Sequence, residues 1–177
     1  MEVANKRSSF NALVIFNALA FQLVWFVCVQ GNNNVALIAA LVLMVCHLVL
    51  FRPSKTELLT MAQLIGLGIL LDSLLMSSGW VQYQSSHGFL IPSWLIALWI
   101  AFSTTVHHSM QWIFSKPWLP ALTGLCLVPF SYWAGIRFSG SEFVVHPVIF
   151  LLTEGIVWAL ILSVLCWRFQ QQADSHE

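Results

Sequence analysis

From Leu58 to Ser78 the chain runs for about 21 residues with one ionisable side chain, Asp72. A helix of that length crosses the ~30 Å hydrocarbon layer of a bilayer. Comparable apolar runs recur at about 10–29, 35–51, 89–114, 118–136 and 147–167. Charged residues make up 8% of the chain and apolar ones 59%, against roughly 25% and 45–50% in a soluble domain. That is too little polar material to wet a globule, so lipid must be part of the solvent. The expected fold is all-α: a single polytopic domain, residues 1–177, with six transmembrane helices at 10–29, 35–51, 58–78, 89–114, 118–136 and 147–167.

The connections are short. Gln30 to Asn34 and Gly79 to Gly88 read as uncharged turns, the second holding Trp80 and His87. Arg52 to Glu57 is a basic loop in which Ser54 and Glu57 have capping-box spacing, each side chain reaching a backbone N–H of the new helix. The first run, with Asn11, Asn17 and Gln22, is too long for a signal-peptide core and is expected to remain as a membrane helix. Pro92 suits a first helical turn, and the fourth run turns polar over Ser103 to His108. Pro129 should bend the fifth span, where Ser131 and Gly135 form a small-xxx-small pair suited to close helix approach.

Orientation follows from the cations. With both termini cytoplasmic, Lys6, Arg7, Arg52, Lys55, Lys116 and Arg168 lie inside and Arg137 alone lies outside, which satisfies the positive-inside rule. Net charge is zero and no basic block occurs, so no nucleic-acid partner is implied. The nine Trp residues are many for this length, and several flank apolar runs, as expected at a membrane boundary. Cys28, Cys46, Cys126 and Cys166 read as small buried apolar residues rather than redox or metal groups.

Counting 1.5 Å per helical residue puts Asp72 roughly 9 Å and Glu154 roughly 10 Å below the outer surface. Gln22, Tyr132 and Arg137 reach similar levels from other helices. A carboxylate at such depth is costly and points to function. Asp72 and Glu154 are therefore the candidate catalytic pair. Facing each other in low dielectric, they could not both ionise cheaply, so one should hold a proton. Gln22, Tyr132, Arg137 and His108 are candidate substrate contacts. The blander alternative has Arg137 neutralising one acid and interhelical hydrogen bonds satisfying the other.

An inner layer comprises His47, Gln63, His107, His108 and Gln111. On a helix, adjacent His107 and His108 point about 100° apart, so one at most faces any given site. No histidine boxes, G-x-S-x-G, P-loop, dinucleotide or haem motif occurs. Three histidines at one level could ligate a single metal ion, but interfacial hydrogen bonding is the expected role of this layer, and no metal and no cofactor are assigned.

Three blocks carry a resemblance: Gly66-x-x-Ile69-Leu70-Leu71-Asp72-Ser73; Pro92-x-Trp94-Leu95-x-x-Leu98-Trp99 running to His108-Ser109; and Pro129-x-x-Tyr132-Trp133-Ala134-Gly135. Together they resemble the bacterial inner-membrane family catalogued as domain of unknown function 2878. The resemblance implies a multi-pass protein of a proteobacterial inner (cytoplasmic) membrane and hints at lipid, without assigning a catalytic role. Three functions fit these readings. One is a lipid-related accessory protein or intramembrane enzyme with a polar site in the periplasmic half. Another is a proton-coupled carrier or channel for a small solute. The third is a structural or assembly subunit. Membrane lipid is the expected partner, alongside a second copy or another membrane protein.

Overall fold

The computed structural model describes residues 2–30, 32–86 and 88–174, with side chains over 12–30, 32–86 and 88–171. Lys6, Arg7, Asn11 and His87 therefore lie outside the described side chains. The chain is mostly helical: α1 (Glu2–Val29), α2 (Asn33–Phe51), α3 (Lys55–Ser77), α4 (Ser93–Ser103), α5 (Leu119–Ser139) and α6 (Pro147–Asp174). Two short strands, β1 (Val81–Gln82) and β2 (Glu142–Phe143), pair antiparallel and tie the α3–α4 loop to the α5–α6 loop at one end of the bundle. This end is called the ladder end below.

Five of the helices are long and apolar enough to cross a membrane. The fourth run is not one of them. Helix α4 has 11 residues, about 16 Å of rise, and so spans about half a hydrocarbon layer. Residues 104–110 then form irregular turns, and a 3-10 helix, Gln111–Ser115, follows. The expected continuous helix over 89–114 is thus broken where Ser103, Thr104 and Thr105 cluster. Each of the three hydroxyls bonds a carbonyl three residues back, at 2.7, 2.8 and 2.7 Å. Side chains that bond their own backbone in this way compete with the helical ladder.

Irregular backbone at membrane depth survives only when protein surrounds it. Here Ser103, Thr104, Thr105 and Val106 are all buried, and α4 packs against α1, α2 and α3. Asn17 of α1 completes the seal. Its Nδ2 donates to the Thr104 carbonyl at 3.1 Å, and its Oδ1 accepts from the Ser109 hydroxyl at 2.7 Å.

The remaining packing rests on small residues and caps. Ala36 and Ala40 of α2 and Ala97 and Ala101 of α4 are fully buried where those helices meet. Between α5 and α6 the closest approach is at Gly124, where a Cβ would overlap the Ala159 backbone, and at Gly155 against the ring of Pro129. The Ser131–Gly135 pair makes no such contact: both residues line a cavity instead. Asn32 caps α2 through Val35 N at 3.2 Å. Ser54 caps α3 through Glu57 N at 3.2 Å, but the Glu57 carboxylate turns to two histidines, so only half of the capping box forms.

Large apolar side chains such as Leu23, Val49, Leu152 and Leu160 face outward along the long helices, a surface suited to lipid and not to water. The Trp residues divide. Trp112, Trp118, Trp133 and Trp167 are exposed, whereas Trp25, Trp94, Trp99 and Trp158 are buried inside the bundle. Cys28 and Cys166 are buried as expected; Cys126 is exposed.

Candidate functional site

Asp72 is completely buried near the ladder end of α3. Three donors surround its carboxylate. The hydroxyls of Tyr83 and Tyr132 each lie 2.9 Å from Oδ1, and the Trp99 indole N–H lies 2.7 Å from Oδ2. Both tyrosines of the chain converge on this one group. An ionised carboxylate is acceptor-only, and in low dielectric such contacts are stronger than in water. Burial and the neighbouring Asp72 push the Tyr83 phenol well above its ordinary value, so it stays a hydroxyl donor.

The Trp99 contact depends on a residue without a side chain. Gly68 lies one turn before Asp72, and a Cβ there would overlap the Trp99 ring. The indole therefore lies flat against α3 and reaches the carboxylate. Its other face stacks on Trp158 of α6, with centroids 5.3 Å apart and planes at 13°.

Glu154 is also buried and sits beside Tyr132 and Trp158. The two acids are not hydrogen-bonded to one another; Tyr132 neighbours both and donates to Asp72. Glu154 Oε2 and Trp158 Nε1 are buried with no hydrogen-bond partner among the described residues. Buried polar atoms in that condition are uncommon and call for an explanation.

Below Asp72 lies a cavity of about 400 Å³, lined mainly by apolar and aromatic side chains. Asp72, Tyr132, Trp99 and Trp158 form part of its wall. Gln22 of α1, Trp112 of the 3-10 helix, and Leu127 and Ser131 of α5 also line it, and all four are exposed. The cavity therefore opens sideways between α1 and α5, which meet at the ladder end through Trp25, Val29 and Ala134.

The other candidates fall elsewhere. Arg137 is exposed and makes no ion pair among the described residues, so it does not neutralise either acid. His108 lies at the opposite end of the bundle, where its Nε2 contacts Glu57 Oε1 at 2.8 Å, and His47 Nε2 meets the same oxygen at 3.1 Å. His107 turns away to pack on Phe169, centroids 4.9 Å apart. Gln63 accepts from Arg168 at 3.0 Å, and Gln111 is exposed.

Residues 14–164 match the family described as Protein of unknown function (DUF2878). The chain belongs to that family. The matched region contains Gln22, Asp72, Tyr83, Trp99, Tyr132, Glu154 and Trp158, that is, the whole carboxylate cluster and both of the unpartnered polar atoms beside it. Neither the curated proteins nor the solved structures include a match to the chain.

Proposed function

We propose that this family member is a lipid-handling protein of a bacterial inner membrane. It takes an acyl chain between α1 and α5 and holds the polar end of that lipid at the Asp72 level. The observation that carries this reading is the sideways-opening apolar cavity with a polar end wall. Its size falls in the range of small-ligand sites, which combine apolar walls with a few placed polar groups. An entrance between two membrane helices suits a ligand that arrives from the bilayer.

Within that reading the two acids have different tasks. Three of the roughly four acceptor sites of the Asp72 carboxylate are taken by Tyr83, Tyr132 and Trp99. Asp72 is accordingly a positioning residue that fixes the aromatic end wall. Glu154 Oε2 and Trp158 Nε1 retain hydrogen-bonding capacity, and Trp158 lines the cavity. An ester carbonyl or a hydroxyl of the lipid would satisfy the indole N–H. Leaving such a group unpaired costs about 1–3 kcal/mol. Glu154 stands one turn before Trp158 on α6, buried beside that indole.

Photo-crosslinking with a phospholipid that carries a photoreactive acyl chain tests the proposal. Labelling should concentrate at Leu127, Trp112 and Gln22, and should fall in a Leu127→Trp variant that narrows the entrance. Labelling spread evenly over outward residues such as Leu152 and Leu160, unchanged by that variant, would overturn it. A changed acyl or head-group profile in a deletion strain would then separate a lipid-modifying role from simple binding.

A further inference from the structure

We propose that His47, Glu57 and His108 form a binding site for a divalent transition-metal ion, at the end of the bundle opposite Asp72. One donor atom from each residue lies within 4.8 Å of the other two. His47 Nε2 and His108 Nε2 both approach Glu57 Oε1, at 3.1 and 2.8 Å. Two atoms that each bind zinc at about 2.0–2.1 Å stand about 3.3 Å apart at the tetrahedral angle. Each Nε2···Oε1 pair needs to part by only a few tenths of an ångström to reach that separation. Both imidazole nitrogens address a single oxygen, so one cation takes the place of two bridging protons, and each ring then carries its proton on Nδ1.

The donor set is two histidines and one carboxylate. It belongs to the nitrogen and oxygen ligands that zinc, iron and their first-row neighbours share, and it leaves coordination positions for water or substrate. The fold prepares it. Arg52 takes a left-handed conformation (φ 48°) and Ser54 caps α3, so the turn between α2 and α3 sets His47 and Glu57 face to face. The turns after α4 deliver His108, which a continuous helix over 89–114 would have carried elsewhere. Phe51 stacks on His47, centroids 5.0 Å apart, and lies 4.2 Å from the His108 ring, fixing both imidazoles. The His47 side chain is fully buried, while those of Glu57 and His108 are 11% and 13% exposed, so an ion can enter from one side.

The site lies far from the Asp72 cluster: Glu57 and Asp72 are 15 positions apart on α3, about 22 Å at helical rise. The test uses the full chain in detergent micelles, stripped of metal by a chelator and equilibrated with Zn²⁺. One tightly bound equivalent is expected. Affinity should fall at least about tenfold in His47→Ala and His108→Ala, since even outer-shell changes at metal sites have effects of that order. His107→Ala and Asp72→Asn should keep the equivalent. Zn²⁺ should also raise the unfolding midpoint of the unaltered chain, because a ligand that binds only the folded state stabilises it. Should a histidine variant fail to fold, Glu57→Gln keeps the shape and must show the same loss. Zinc binding no tighter in the unaltered chain than in a His47→Ala, His108→Ala double variant would overturn the proposal. So would an unfolding midpoint that Zn²⁺ leaves unmoved.

Discussion

Helix α3 carries two buried carboxylates, Glu57 at one end and Asp72 at the other, and their surroundings differ in kind. Asp72 is held by two phenols and an indole, groups that keep their protons across the physiological range. Glu57 is held by two imidazoles, side chains that are common metal ligands. The first arrangement is a fixed wall; the second can exchange its bridging protons for an ion. The chemistry of the neighbours, not burial alone, determines whether a membrane carboxylate stays put or reacts.

The largest effect expected from breaking this contrast is at Asp72. Asp72→Ala strands three buried donors, each costing about 1–3 kcal/mol, so the total loss is several kcal/mol. The folded yield and the unfolding midpoint in detergent should both collapse. His108→Ala should cost less in the absence of metal, yet abolish the Zn²⁺-dependent rise in midpoint, a rise worth about 2.7 kcal/mol at a hundredfold excess over the dissociation constant. Gly68→Ala drives a methyl group into the Trp99 ring and should destabilise by about 1–3 kcal/mol, the usual range for overpacking. Because the indole must move off Asp72, Trp fluorescence should shift as well. Tyr132→Phe removes one of the three donors and should cost about 1 kcal/mol, while leaving Zn²⁺ binding unaltered. Arg137→Ala is the control: an exposed cation with no ion partner among the described residues should change stability by no more than about 0.5 kcal/mol.

Much of this molecule was legible from its residues. Long apolar runs announced the five long helices, because hydropathy over a window needs no tertiary information. The prominence of Asp72 followed in the same way from one charge in a stretch of 21. What lay around it was harder to read. Tyr83 sits in a loop and Trp99 on another helix, 11 and 27 positions away, and depth counting takes no account of side chains that reach in from a turn. Gly68, one turn before Asp72, was the local clue that something bulky crosses there. Arg137 is exposed and pairs with neither acid among the described residues, and counting depth along a helix gives no direction for its side chain. At the other end, the S-x-x-E spacing correctly marked the start of α3 but hid Glu57, whose carboxylate faces away from the cap.

The broken fourth segment sets terms for biogenesis. An 11-residue helix followed by irregular turns cannot cross a bilayer as an autonomous span, since it is too short and irregular backbone is tolerated at that depth only where protein surrounds it. It has to dock onto α1, α2 and α3, with the Asn17 amide waiting to clamp the loosened strand. Synthesis order supplies those three helices first. The amino-terminal half of this polypeptide thus acts as an internal scaffold for the segment that follows it, and a change at Asn17 would be felt as failed insertion long before any defect in the mature protein could be seen.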